Sequence, residues 1–134
     1  MNALPALDDD IRRLAEEFRD CRQLLVAVGD ETRQHLIVET MLIGDCSGIR
    51  VGTIAERTHL SRPAVSHHIQ ILKAAGILKV RREGTRNYYY FDRDMAALDR
   101  LIALLRHIKT VMRQIPGSQP DGGGESEQEE NSWI

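Results

Sequence analysis

Residues 61–76, SRPAVSHHIQILKAAG, contain the start, the apolar stripe and the end of one short helix. Ser61 is a favourable N-cap residue and Pro63 fits the first helical turn. Gly76 ends the helix, because glycine adopts a left-handed backbone conformation without steric cost. Successive helical positions advance by about 100°, so the apolar side chains share one stripe that must face a core: Val65, Ile69 and Leu72. The segment therefore predicts a helix with one buried face and one face open to a partner.

Two adjacent histidines divide between these faces. On the helical wheel His67 points about 165° from the centre of the apolar stripe, whereas His68 lies about 65° from it. We expect His67 on the outer face and His68 beside the core, satisfied by a local hydrogen bond. The two rings do not converge on one point, so we do not expect them to share a metal ion. The outer face also carries groups that suit base edges and phosphates, although a solvated polar face is the alternative: Arg62, Ser66, Gln70 and Lys73.

Helical and strand patterns flank this segment on both sides. Apolar residues at three- and four-residue steps predict a helix over 8–27 and, after an N-cap at Asp30, a second helix to Ile43. A short third helix over 51–58 precedes the tight connection HLS. The segments ILKVRR and RNYYYFD predict a two-stranded hairpin that bends at EGT. A last helix is expected over 93–115.

The charge of the chain is unevenly distributed. The whole sequence has a net charge of −2, but residues 117–134 contain five acidic residues and no basic residue. Residues 50–93 contain nine Lys or Arg against three Asp or Glu. Such a concentration of positive charge is what a phosphate-binding surface needs. We expect one domain over residues 1–116 and an acidic, disordered tail over residues 117–134.

Several classes of protein are not expected from this sequence. No apolar run approaches the roughly 20 residues that cross a bilayer, and the N-terminal MNALPALDDD has acids where a secretory signal is basic. Cys21 and Cys46 have no pairing motif, which fits a reducing compartment. We therefore expect a cytoplasmic protein with no membrane partner. No nucleophile, base and orienting acid form a recognisable arrangement, so we expect neither an enzyme nor a cofactor.

The segments GDETRQHLIVETML and VGTIAERTHLSRPAVSHHIQILKAAGILKVRREGTRNYYYFD resemble the ArsR/SmtB family of winged helix-turn-helix repressors. The resemblance covers about residues 20–112. It implies an α+β, mostly helical fold with about five helices and a two-stranded hairpin wing. It also implies a homodimer that represses transcription from a palindromic operator in double-stranded DNA and is released by an inducer, which the sequence does not identify.

The resemblance assigns DNA contacts to the fourth predicted helix and to the hairpin. Matched by position, Arg62, Ser66 and His67 correspond to base and phosphate contacts of the recognition helix. Arg82, Thr85 and Arg86 correspond to contacts of the wing with the DNA backbone or the minor groove. The complete predicted set is Ser61, Arg62, Pro63, Ser66, His67, Gln70, Lys73, Arg81, Arg82, Thr85 and Arg86. The alternative for the wing arginines is a hairpin kept in solution by its charge.

The last predicted helix has the spacing of a coiled-coil seam, with apolar residues at steps of four and three. These residues are Leu101, Leu105, Ile108, Met112 and Ile115. Family likeness favours a seam between two subunits, whereas burial inside one subunit is the alternative. The predicted dimer interface of the first and last helices comprises Leu14, Phe18, Leu25, Leu101, Leu105, Ile108 and Met112.

The ligand patterns of metal-sensing family members are incomplete in this chain. The thiolate type uses a Cys-x-Cys pair, but only Cys46 is present near the third helix. The type in the last helix, counted from Asp94, has only two of its four ligands, Asp94 and His107. We therefore expect no metal site, a buried Cys21 and an exposed Cys46. Two alternatives stay open: a metal- or redox-responsive repressor with an atypical site built from these residues, and a protein-interaction module on the same scaffold.

Overall fold

The computed structural model describes residues 3–45 and 47–117. Within these residues the elements are α1 (Ala3–Asp20), α2 (Arg22–Val28), α3 (Glu31–Ile43), α4 (Val51–Thr58), α5 (Arg62–Ala74), β1 (Leu78–Glu83), β2 (Arg86–Phe91) and α6 (Ala96–Gln114). Helices α4 and α5 form a helix-turn-helix, and the β1–β2 hairpin is its wing. The predicted winged-helix fold is confirmed. Cys46 and residues 118–134 of the predicted tail lie outside the described residues.

The core surrounds the inner face of α5. Val65, Ile69 and Leu72 are fully buried, which confirms the predicted stripe. They belong to one hydrophobic cluster with Leu36 of α3 and Ile54 of α4. Burial of a large aliphatic side chain contributes about 1.5–3 kcal/mol. The stripe therefore fixes which face of α5 is turned to solvent.

Both ends of α5 lie where the sequence predicts them. The hydroxyl of Ser61 accepts a hydrogen bond from the backbone N–H of Ala64 at 3.2 Å. At the other end Gly76 has φ +82°, a conformation that other residues rarely adopt. His59 ends α4 with φ 60°, so residues 59–61 alone connect the two helices. This short connection joins the C-terminal end of α4 to the N-terminal end of α5.

The helix predicted over residues 8–27 is in fact two helices. Cys21 lies between α1 and α2 with φ −95° and ψ 3°. Backbone hydrogen bonds nevertheless continue across it, from Cys21 N to Glu17 O and from Leu25 N to Cys21 O. Because the break leaves these hydrogen bonds intact, the spacing of apolar residues does not reveal it. It allows α1 to pack along α6 while α2 packs against α3 and α5. The described residues thus form six helices rather than five.

The two strands of the wing pair antiparallel, from Leu78 opposite Phe91 to Glu83 opposite Arg86. Gly84 lies in the two-residue turn with φ +61°, which accounts for a glycine at this position. These strands begin or end one residue from their predicted limits.

The base of the wing is fastened to the segment that precedes α4. The backbone N–H of Ile49 donates to Tyr89 O at 2.7 Å, and that of Tyr89 donates to Ile49 O at 2.8 Å. Helix α6 starts at Ala96, three residues later than predicted, because Met95 has a left-handed conformation with φ 58°. No helix in the described segments is both long and apolar enough to traverse a bilayer.

Candidate nucleic-acid interface

The outer face of α5 is open to solvent. Every predicted contact residue on this helix is exposed: Arg62, Pro63, Ser66, His67, Gln70 and Lys73. The helical-wheel assignment of His67 is therefore confirmed. Ser61 is also exposed, but its hydroxyl caps the helix. The exposed side chains form a polar surface that a duplex can approach.

His68 is half-buried on the inner side of the same helix. Its Nδ1 lies 3.4 Å from Nη1 of Arg33 on α3. Arginine can only donate, so Nδ1 must carry a lone pair in this contact. Burial, followed by the positive charge of Arg33, lowers the pKa of His68 below its usual value. The predicted position of His68 is confirmed, but its partner lies 35 residues earlier in the chain, so the expected local hydrogen bond was wrong.

Arg33 is a buried cation that the sequence analysis missed. It is 7% exposed. Its Nε donates to Ala27 O at 2.9 Å and its Nη2 donates to Val26 O at 2.8 Å. Carbonyls in the last turn of a helix lack intrahelical partners and carry partial negative charge. Arg33 therefore joins the end of α2 to α5. The available signal was its position three residues before buried Leu36, which itself lies four residues before buried Thr40.

A polar cleft lies between α4, α5 and the wing. Its volume is about 670 Å³, and its lining comprises Arg50, Val51, Gly52, Thr53, Glu56, Arg62, Ser66, Thr85 and Asn87. The cleft brings together three of the predicted DNA-binding residues, Arg62, Ser66 and Thr85. The sequence analysis missed Arg50 and Asn87. These two residues are 37 positions apart in the sequence, and neither lies in a recognisable sequence motif.

The first turn of α4 forms one wall of this cleft and has no side-chain cap. Arg50 occupies the N-cap position without a capping hydrogen bond, and the first turn contains no acidic residue. The guanidinium of Arg62 lies against the same turn, since a Cβ on Gly52 would be 3.0 Å from its Nη2. The positive end of the helix dipole thus lies beside a guanidinium, an arrangement that an anion stabilises. A phosphate of a nucleic acid is such an anion.

The wing arginines differ in their contacts. Arg82 and Arg86 are exposed beside the turn, and Arg82 Nε donates to Gly84 O at 3.3 Å. Arg81 instead donates to the backbone carbonyl of Ser47 and to the carboxylate of Glu83. Its guanidinium also lies 5.1 Å from the centre of the Tyr88 ring. Arg81 therefore supports the wing from within the subunit, and its predicted DNA contact gains no support from this geometry.

Two residues of the alternative sensors, Cys21 and His107, are among those that the structure describes. Cys21 is buried at the junction of α1 and α2, as expected. His107 Nδ1 lies 2.8 Å from Glu17 Oε2, a contact that joins α6 to α1. Within residues 3–45 and 47–117, no group of three or more His, Cys, Asp or Glu side chains is placed to hold a metal ion. The predicted exposure of Cys46 falls outside the described residues.

The predicted dimer residues divide between the subunit's own interior and its surface. Leu101 packs against the hydrophobic core of its own subunit, and the residues of intermediate exposure are Leu14, Leu25 and Ile108. Phe18, Leu105 and Met112 are exposed. Further exposed apolar side chains occur on the same two helices. We define the α1–α6 apolar surface by its five exposed members, Ile11, Phe18, Leu98, Ile102 and Leu105.

The helix-turn-helix and the start of the wing match a known family. The model of the bacterial regulatory protein arsR family matches residues 49–80, which include α4 and α5. An uncharacterized HTH-type transcriptional regulator of Methanocaldococcus jannaschii is 35% identical over 79 residues, which cover 59% of this chain and 85% of that protein. The chain belongs to the ArsR family. It is a DNA-binding transcriptional regulator, and members of this family regulate transcription rather than act as enzymes.

Other similarities extend beyond the helix-turn-helix. The transcriptional repressor SdpR of Bacillus subtilis is 38% identical over 63 residues, 47% of this chain and 66% of that protein. The crystal structure of a possible transcriptional regulator for arsenical resistance has a TM-score of 0.50 and 26% identity, over 72% of this chain and 96% of that one. NolR from Sinorhizobium fredii has a TM-score of 0.51 and 26% identity, over 69% and 87% of the two chains.

Proposed function

We propose that this ArsR-family regulator is a homodimeric repressor that binds a palindromic operator in double-stranded DNA through α5 and the wing. The polar cleft carries the proposal, because there the guanidinium of Arg62 and the uncapped start of α4 lie together. Repression, as distinct from regulation, is supported by the likeness to SdpR, which is a repressor.

We assign the residues around the cleft to two kinds of contact. A phosphate at the start of α4 would accept hydrogen bonds from Arg62, Arg50 and backbone N–H groups. Such phosphate contacts fix the register of the protein on the duplex but carry no sequence information. Ser66, His67 and Gln70 lie on the outer face of α5 and would contact base edges in the major groove. The wing would add backbone contacts through Arg82 and Arg86.

The α1–α6 apolar surface supports the proposed dimer. Leu98 and Leu105 each follow a buried residue of α6, so both lie about 100° around the helix from its buried side. Phe18 on α1 is 45% exposed. A second copy that covers these side chains would remove them from water, and two-fold symmetry would then place paired recognition helices about 34 Å apart, one turn of duplex.

Footprinting on the DNA upstream of the protein's own reading frame, followed by titrations of the protected duplex, tests the proposal. We expect protection of two half-sites about 10 base pairs apart. Arg62→Ala should cost about 1–3 kcal/mol of binding free energy and reduce the slope of log affinity against log salt by about one. Arg86→Ala should also reduce the salt slope and weaken all duplexes evenly.

Arg13→Ala is the matched control, because Arg13 is an exposed arginine on α1. It should leave both the affinity and the salt slope unchanged. If Arg62→Ala and Arg86→Ala bind like Arg13→Ala, the cleft and the wing are not the DNA-binding surface.

A further inference from the structure

We propose that a cavity at the base of the wing binds an amphipathic organic cation, and that this cation is the inducer. The cavity lies between the C-terminal end of α3, the end of β2 and the segment that leads into α6, and its volume is about 520 Å³. This volume lies in the range of small-molecule sites. The inducer role rests on the proposed function, because an inducer requires a repressor. Binding of the cation to the cavity does not depend on the proposed function.

The walls of this wing-base cavity are largely apolar and aromatic. Met41 comes from α3, Ile49 from the segment before α4, and Tyr90 and Phe91 from β2. Met41 is 59% exposed, so it lies at the opening. The faces of aromatic rings carry negative electrostatic potential and attract cations, most strongly where water is excluded. The apolar body of a ligand and its positive charge would therefore both be accommodated.

The charged groups around the cavity favour a cation over an anion. Three carboxylates, Asp45, Asp92 and Asp94, line it against the two cations Lys79 and Arg93. Lys79 Nζ lies 3.4 Å from Asp92 Oδ1, so these two charges compensate each other. The lining thus retains an excess of one negative charge.

The two remaining carboxylates differ in their local partners. Hydrogen bonds from the hydroxyl and the backbone N–H of Ser47 lower the pKa of Asp45, which keeps this carboxylate ionised. The side chain of Asp94 has no hydrogen bond or ion pair with the described residues, since it is the backbone N–H of Asp94 that donates to Asp92. Asp94 is therefore the carboxylate best placed to pair with a ligand's positive charge.

The position of the cavity connects it with the DNA-binding surface. Ile49 forms one wall and is hydrogen-bonded to Tyr89 of β2 in both directions. The next residue, Arg50, lines the polar cleft at the start of α4. A ligand that separates Ile49 from β2 would move the wing relative to α4. Ligand and operator would then favour different arrangements of the same segment, which is the condition for release by an inducer.

Calorimetric titration of the full chain with tetraphenylphosphonium and with tetraphenylborate tests the site, because these ions have nearly the same shape and opposite charge. We expect the cation to bind with one site per protomer and the anion not to bind. Benzyltrimethylammonium serves as a smaller cation. Equal binding of both tetraphenyl ions would mean adsorption to apolar surface, and no binding of either cation would mean no site; each result overturns the proposal.

Three variants locate the binding. Asp94→Asn and Tyr90→Leu should each weaken binding of the cation by about three- to tenfold, since each removes one attraction to the charge. Asp99→Asn removes an exposed carboxylate of α6 that does not line the cavity, and should change the affinity less than twofold. Circular dichroism melting confirms that each variant is folded. Equal affinities of Asp94→Asn and Asp99→Asn would place the ligand elsewhere and overturn the proposal.

Operator titrations with and without tetraphenylphosphonium test the coupling, with the same duplex alone as the control for binding of the cation to DNA. We expect the cation to lower operator affinity in the wild type and to have little effect on Asp94→Asn at the same concentration. If the cation binds and operator affinity does not change, the inducer role is wrong. If the ligand-free protein does not bind the operator, the proposed function is wrong. The calorimetric titrations still test, independently of the operator, whether the cation binds in the wing-base cavity.

Discussion

Substitution of Arg33 by methionine tests the contact that sets the position of α5. The guanidinium donates to Val26 O and Ala27 O at 2.8 and 2.9 Å and lies 3.4 Å from His68 Nδ1. A hydrogen bond that involves a charged group contributes about 1.5–3 kcal/mol, and contacts near 3.4 Å contribute less. Methionine retains apolar contacts but leaves the two helix carbonyls without donors. We therefore expect the free energy of unfolding to fall by about 3–4 kcal/mol.

Urea unfolding followed by circular dichroism measures this loss, at one fixed protein concentration because dimerisation would shift the apparent stability. Arg57→Met is the control. Arg57 Nε lies 2.8 Å from Glu39 Oε2, but the arginine side chain is 50% exposed. Exposed ion pairs contribute about 0–1 kcal/mol. Arg33→Lys is a second variant, which keeps the positive charge but loses the forked arrangement of donors. Its free energy of unfolding should lie between those of the wild type and Arg33→Met. Equal losses in Arg33→Met and Arg57→Met would refute the role of the buried arginine.

Three further predictions concern pH, the dimer and the cleft. The pKa of His68 is lowered in the folded state, so its contribution to stability is complete above the ordinary value of 6.5. This contribution decreases as the pH falls from 6.5 towards the folded pKa, by at most about 1.4 kcal/mol per pH unit. His68→Gln should remove this part of the dependence in urea unfolding between pH 7.5 and 5.5; an unchanged dependence would show that other groups cause it. Leu105→Glu should turn the proposed dimer into a folded monomer in sedimentation equilibrium, whereas Leu42→Glu, at an exposed position of α3, should not. A dimer with Leu105→Glu would exclude the α1–α6 apolar surface as the interface. Gly52→Ala places a Cβ 3.0 Å from Arg62 Nη2. It should lower operator affinity, measured by fluorescence anisotropy, by about three- to tenfold, and destabilise the fold by less than about 1 kcal/mol. A wild-type affinity would mean that the position of Arg62 is unimportant.

The features of α5 were predictable because they depend on residues close together in the chain. Ser61 caps the backbone three residues later, and Gly76 supplies the conformation that ends the helix. The stripe and the outer position of His67 follow from helical geometry alone. The hairpin was predictable for the same reason, since its strands are consecutive and its turn contains glycine.

The features that were missed depend on contacts between distant elements. The burial of Arg33 makes sense only once α2 brings its terminal carbonyls to α3. Arg81 looks like any other basic wing residue until the loop before α4 presents the carbonyl of Ser47 to it. The polar cleft likewise exists because Arg50 and Asn87 meet across the fold. Leu101 packs against the core of its own subunit, a contact between elements that the apolar spacing within α6 does not reveal.

Amide chemical shifts of the isotopically labelled protein, recorded during titration with the footprinted operator, test the central claim that α5 and the wing form the DNA-binding surface. We predict that the amides of residues 50–53, 62, 64–67 and 84–87 shift most strongly, and that a scrambled duplex reproduces the shifts around the start of α4 but not those at Ser66 and His67. Shifts confined to α1 and α6, with α5 and the wing unchanged, would contradict the account.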